Sequence, residues 1–249
     1  MRNKIFLSGL VTILLIGSSL FFYWRHYYRS FNEVDLVISQ TQAEEEKNKN
    51  DNLSVINSVG QLVTSSVKSI EESDHIWGEI NAPVQLIIYS DFACPVCADF
   101  SPALETLKNE FGDELVIAFR HFPLNYHQAA LPAALASECA AEQGKFWDMH
   151  NKLFTLNQSR QMSISNFSEA ARELELNEDK FNNCLDQEKY KDKVLEQVAA
   201  GEQAGVNGTP TIFINGVTLP GAYPLDDFVD ADGKERRGLR TIIKKNLNI

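Results

Sequence analysis

The sequence predicts an α/β domain with a helical insertion, carried behind an N-terminal transmembrane helix and a polar stalk. Three observations predict it: an uncharged apolar run near the start, short β-branched segments flanking a helical stripe, and a long central stretch with helical spacing throughout. Ile5 to Trp24 is an apolar run of about twenty residues, with Arg2 and Lys4 before it and Arg25 and Arg29 after it. Twenty residues suffice to cross a bilayer, and Phe21, Phe22, Tyr23 and Trp24 stand where an interfacial aromatic belt belongs. A cleaved signal peptide is the rival reading. Gly17, Ser18 and Ser19 imitate a cleavage site, but the run continues past them and no A-x-A pattern appears, so an uncleaved anchor over residues 1–29 is favoured.

Residues 30–74 are polar, and Ala43 to Asn52 reads as exposed linker. Val55, Ile56, Val59, Leu62, Val63, Val67 and Ile70 keep helical spacing, weakened by Gly60 and several Ser and Thr. A juxtamembrane stalk is one reading and a short self-association helix the other.

The globular part is expected over 75–249. Val84 to Tyr89 is a β-branched apolar run after the turn signal Asn81-Ala82-Pro83. Val96, Phe100, Leu104, Leu107 and Phe111 then fall at helical steps, with Gly112 as a stop. Glu114 to Arg120 is a second strand. The helical insertion runs over about 126–204: an Ala-rich helix at 129–141, one carrying Phe146, Trp147, Met149, Leu153 and Phe154, then helices at 167–175 and 178–199. Thr211 to Asn215 is a strand, and Asn215-Gly216 predicts a hairpin. Lys234, Arg236, Arg237, Arg240, Lys244 and Lys245 read as the solvated face of a last helix over Leu239, Ile242, Ile243 and Leu247.

Composition narrows the function classes. At 249 residues and 44% hydrophobic, the chain can bury one sizeable core. A net charge of −11, with no basic patch above it, argues against a nucleic-acid partner. Four cysteines are an even number, consistent with two disulfides outside the cytoplasm.

Cys94-Pro95-Val96-Cys97 sits where the first strand turns into a helix. Pro95 falls in the first turn, which tolerates a missing N–H. A sulfur there faces unpaired backbone donors and the positive end of the helix dipole, so its thiolate is favoured. Zinc is the first alternative, but Cys139 and Cys184 stand apart and no histidine lies in a local ligand pattern with the pair. A purely structural disulfide is the second, but a two-residue loop closes too little chain to gain much. A redox site is the reading that remains; no metal and no cofactor are expected.

The segments HIWGEINAPVQLIIYSDFACPVC, FRHFPL, AALASECAAEQGKFWDMHNKLF and GVNGTPTIFING resemble the DsbA-like thioredoxin family, in its membrane-anchored or exported thiol–disulfide oxidoreductase branch. The resemblance spans about His75 to Leu247. It implies a thioredoxin fold, Cys94 as exposed nucleophile, Cys97 as resolving thiol, and Pro210 as a cis-proline whose neighbour Thr209 offers its backbone to substrate. An ordinary trans proline at a strand start is the alternative. The resemblance also implies a second, structural disulfide between Cys139 and Cys184, worth about 4 kcal/mol in loop entropy, against two buried free thiols.

Two departures stand out. Strong oxidants of this family carry His where this chain has Val96, and the family often keeps an acid six positions before the first Cys, where this chain has Ile88. Asp91 is a possible proton relay, against a loop-polar role. His121 and His127 could approach the site, against exposed or packing roles, and His150, Phe146 and Trp147 read as structural. The family's namesake has a nucleophile pKa of about 3.5 and thioredoxin about 7. A helix terminus supplies at most about 2 kcal/mol of the roughly 7 that the lower value requires, and Val96 forfeits a donor. An intermediate pKa and potential are expected.

The expected function is introduction of disulfides into exported proteins bearing cysteines. A membrane thiol-oxidase partner would reoxidise the dithiol, and residues 5–24 would hold the catalytic domain on the extracytoplasmic side. A reductase or isomerase of the same fold is the alternative, and a non-catalytic peptide-binding chaperone the more distant one.

Overall fold

The computed structural model describes residues 67–249. The expected anchor at 1–29, its membrane span and the stalk up to residue 66 lie outside the described residues. Among the described residues no helix is long and apolar enough to cross a membrane.

Two apolar runs form the centre of a sheet. Val84–Ser90 (β2) and Leu115–His121 (β3) pair in parallel, Val84 opposite Leu115 and Ser90 opposite His121. Parallel neighbours need a crossover, and Pro95–Phe111 (α1) supplies it. His75–Trp77 (β1) adds antiparallel to the outer edge of β3. At three residues it was too short to show a period in the sequence. Thr211–Ile214 (β4) and Val217–Pro220 (β5) are antiparallel, completing the order β1-β3-β2-β4-β5. They turn at Asn215-Gly216, whose φ values of 47 and 83 are the left-handed pair a two-residue hairpin demands.

Both faces of the sheet are covered. Ile87, Tyr89, Val116, Ala118 and Phe213 pack with Ile70, Phe122, Ala204 and Val206 on one side. On the other, Phe119 meets the rings of Phe92, Phe146, Trp147 and His150. Period-2 alternation in β3 sends Arg120 to the first side and His121 to the second.

The insertion comprises Ala130–Ala141 (α2), Phe146–Gln158 (α3), Ile164–Glu173 (α4), Glu178–Asp186 (α5) and Lys191–Gln203 (α6). The helix expected over 178–199 is two helices. Glu188, at φ 47, reverses the chain between α5 and α6, and the surrounding residues are mostly helix formers that give no sign of it. Ser163 and Asn177 cap α4 and α5 by accepting from the N–H of Asn166 and Lys180.

Two further expectations need correction. The basic C-terminal stretch is not one helical face. Phe228–Val229 (β6) and Glu235–Arg236 (β7) form a small hairpin, and the last helix is only Leu239–Leu247 (α7). Arg236 is buried because Asp230 holds its guanidinium at 2.7 Å and accepts Lys234 N–H as well. Val67 and Ile70 are not helical; Ile70 instead enters the core beside Tyr89.

Candidate active site

The sheet topology assembles the site. β2 and β3 run in parallel, so the segments Asp91–Cys94 and Phe122–His127 leave the sheet at the same end, joined by Phe122 N–H donating to Ser90 O at 2.8 Å. β4 runs against β2 with Thr211 opposite Tyr89, which brings Thr209 and Pro210 to that end too. The Thr209–Pro210 bond is cis.

Cys94 is the N-cap of α1, with φ −79 and ψ 120, and Pro95 occupies the first turn. Its N–H donates to Asp91 O at 3.1 Å and its carbonyl accepts the first intrahelical bond, from Ala98. Its thiol donates to Thr209 O at 3.6 Å, so the dithiol and the cis-proline segment are in direct contact. Cys97 lies one turn further in. Both are free thiols.

The resemblance implies an exposed Cys94, and here the structure differs. Cys94 is 5% exposed and Cys97 2%, with the Thr209 carbonyl against the Cys94 sulfur. Val96, at 49%, is the open side of the motif.

The two thiols are electrostatically unequal. The Cys97 thiol donates toward Cys94 Sγ and lowers its pKa to about 6 against the opposing effect of burial; the N–H groups of Cys97 and Val96 add to this. The buried Thr209 hydroxyl also favours a Cys94 thiolate. Burial pushes the Cys97 thiol well above its ordinary value, and sharing its proton with Cys94 pushes it further; the Ser90 hydroxyl and the Asp91 N–H act in the opposite direction. The lowered pKa favours the Cys94 thiolate and the raised one keeps the proton on Cys97.

Asp91 is fully buried at the rim of the site. Its carboxylate accepts from Ala93 N at 2.8 Å, Leu124 N at 3.1 Å and His127 Nδ1 at 2.6 Å. One side chain thus ties the loop before Cys94 to the loop after β3. Ile88, where the family often has an acid, is a buried strand residue.

Cys139 on α2 and Cys184 on α5 are bonded, with Sγ atoms 2.02 Å apart, and lie within the insertion away from the dithiol.

The sequence reading missed a second polar cluster. Glu138 Oε1 accepts from His75 Nε2 at 2.8 Å and His121 Nε2 at 3.0 Å, and Oε2 takes Lys193 Nζ at 2.8 Å. These residues come from β1, β3, α2 and α6, so no local spacing announces them. His75, His121 and Glu138 are metal-ligand types with ligand atoms within 4.8 Å of one another. Lys193, however, already supplies a cation to the carboxylate, and His121 Nδ1 has no acceptor of the kind that orients a metal-bound imidazole. The cluster is a hydrogen-bonded ion pair.

A low-pKa thiol at a helix N-terminus, a second thiol one turn deeper and a cis-proline against them form an arrangement chemically suited to thiol–disulfide exchange. Comparison with known proteins gives the family and the fold. The family model described as Thioredoxin matches residues 70–231. This chain belongs to the thioredoxin family. Among solved structures it is similar to alpha-DsbA1 of Wolbachia pipientis, with TM-score 0.58 and 22% identity over 74% of this chain and 96% of that one. BdbD of Bacillus subtilis gives TM-score 0.59 and 22% identity, covering 71% and 94%. These likenesses establish a DsbA-type fold with its helical insertion. Among curated proteins, Na(+)/H(+) antiporter NhaA 1 of Mycolicibacterium vanbaalenii is 33% identical over 167 residues, 67% of this chain. The chain spans only 27% of the length of that relative.

Proposed function

We propose that the protein is a thiol–disulfide oxidoreductase that introduces disulfides into exported proteins through Cys94-Pro95-Val96-Cys97. The observation that carries this reading is the Cys94 sulfur at the helix N-terminus against the Thr209 carbonyl beside cis-Pro210, with Cys97 one turn deeper; there the Cys94 pKa is lowered to about 6 and burial raises that of Cys97. A disulfide whose outer sulfur is a good leaving group and whose inner sulfur holds its proton favours reduction of the enzyme, and so oxidation of its client.

The steps follow from that inequality. A client thiolate attacks Cys94 Sγ, forming a mixed disulfide and breaking the Cys94–Cys97 bond. The electron pair goes to Cys97, which takes up a proton. The client's second thiolate attacks its own sulfur in the mixed disulfide, and Cys94 leaves as thiolate. The client loses two electrons and the dithiol gains them. Thr209, beside cis-Pro210, offers main-chain groups that an extended client segment can pair with.

The wider setting is also a proposal. Residues 1–29 anchor the chain, the polar stretch that follows spaces the domain from the bilayer up to the point where Lys68, Ile70 and Asp74 join the fold, and the domain works outside the cytoplasm. The Cys139–Cys184 bond inside the insertion supports an oxidising compartment. A membrane thiol oxidase accepts the electrons from the reduced dithiol.

Alkylation trapping of Cys94 in intact cells tests the direction. Predominantly oxidised protein is the expected result; predominantly reduced protein assigns a reductase or isomerase instead. Cys94→Ser must abolish exchange with a reduced two-cysteine peptide, and a variant that kept full effect would mark a chaperone.

A further inference from the structure

We infer that His127, oriented by Asp91, is the base that takes the proton from the incoming client thiol. The inference rests on the oxidoreductase reading above and adds a group that the dithiol and cis-proline do not supply. An attacking thiol of ordinary pKa, about 8.5, is mostly protonated at neutral pH and must lose its proton to react. Neither active-site sulfur can accept it, because in the disulfide form neither titrates.

The geometry points to one imidazole. Asp91 precedes Cys94 by three positions, and its main-chain carbonyl holds Cys94 N–H at 3.1 Å. The same residue's carboxylate binds His127 Nδ1 at 2.6 Å. Because this carboxylate also accepts from Ala93 N and Leu124 N, it acts as an acceptor toward the imidazole, which places the ring proton on Nδ1. The bare lone pair is then on Nε2, the arrangement by which a buried carboxylate prepares histidine as a base. Asp91 is wholly covered, whereas the His127 side chain keeps 21% of its surface open. The dyad therefore runs from a buried carboxylate three residues before Cys94 to a ring partly open to solvent. Among the described residues, Asp91 meets the ring at Nδ1 and Tyr126 stands edge-on to it at 4.6 Å between centroids.

The step balances. His127 Nε2 takes the thiol proton, the client thiolate attacks Cys94 Sγ, and the Cys94–Cys97 bond breaks with its electron pair on Cys97. Imidazolium then returns the proton to solvent or to the deeper thiolate.

The test uses the oxidised full-length chain and two probes: glutathione, whose thiol must be deprotonated, and 2-nitro-5-thiobenzoate, which is already a thiolate. His127→Gln retains an N–H for Asp91 but has no basic nitrogen. With glutathione at pH 6 it should react about 10-fold or more slowly than the parent, the gap closing above about pH 8.5. With the preformed thiolate the two should react equally. Added imidazole should restore the rate of His127→Ala, which excludes a folding defect as the cause. Superimposable pH profiles with glutathione, or an equal deficit with both probes, would overturn the assignment and leave His127 a loop staple. A parent protein that exchanged with neither probe at any pH would instead sink the oxidoreductase reading itself.

Discussion

Arg120 and Asp74 form a two-pronged pair on the face of the sheet that carries Tyr89 and Phe213, with Nε to Oδ1 and Nη2 to Oδ2 both at 2.8 Å. The same guanidinium donates to the carbonyls of Lys68 and Ser69, at 2.8 Å each, and to the Tyr89 hydroxyl at 3.3 Å. A single β3 side chain thus fastens the segment that precedes β1 onto the domain.

Arg120→Met is therefore expected to destabilise the domain by about 3–5 kcal/mol, because it leaves the Asp74 carboxylate covered and unpaired. Arg120→Met with Asp74→Leu should recover part of the loss, since two apolar groups leave no charge behind. Denaturant unfolding measures both. A single variant within about 1 kcal/mol of the parent would show that the clamp is dispensable.

Gly201→Ala separates helix propensity from packing. In an exposed helix the change gains roughly 1 kcal/mol. Here a Cβ would stand 2.8 Å from Tyr89 Cε1 and 2.9 Å from Phe122 Cδ2, and neither ring has room to retreat within the core. Overpacking of this kind costs about 1–3 kcal/mol, so a net loss of stability is expected. A thermal midpoint at or above the parent's contradicts the packing described.

Acid should weaken the fold before ordinary carboxylates titrate. Burial lowers the pKa of His150 to about 4 and also lowers that of His75. Both rings are held neutral in the fold and protonate near 6.5 when it opens, so their contribution is complete above 6.5 and fades as pH falls below it. For His150 alone the loss at pH 5 is about 2 kcal/mol. Glu138 is also held well below its usual range; against the opposing effect of its own burial, His121 and His75 stabilise its carboxylate, a contribution lost only below about pH 4. Unfolding midpoints at pH 7.5 and 5 should differ, and His150→Phe should shrink the difference. A flat profile across that range would refute the account.

Thiolate absorbance of the reduced protein should titrate with a midpoint of about 6 from Cys94, while Cys97 stays protonated well past its ordinary range. Because the Cys94 pKa is lowered, the reduced form should gain stability as pH rises from about 6 to about 8.5, a gain the disulfide form lacks. Equilibration with glutathione should give a potential between about −120 and −270 mV. Val96→His, which restores a donor beside the sulfur, should move the midpoint lower and the potential higher. A Cys94 midpoint near 8.5 contradicts the site as described.

Much of the architecture was legible in the chain because it is written in local periods. The β-branched runs of β2 and β3, the helical stripe of α1 and the Asn215-Gly216 turn each carry their signal within a few residues. What escaped has no local period. β1 is three residues long, β6 and β7 two each, and the break at Glu188 is one left-handed residue among helix formers.

The sequence by itself determined that a dithiol stands at the start of a helix, since that needs only a strand, four residues and an apolar stripe. Tertiary structure alone decided what surrounds it. Antiparallel pairing of β4 with β2 carries the Thr209 carbonyl to Cys94 Sγ across 115 positions, and parallel pairing of β2 with β3 carries His127 to Asp91 across 36. Contacts at such separations are set by strand register and chain direction, which are properties of the folded sheet as a whole.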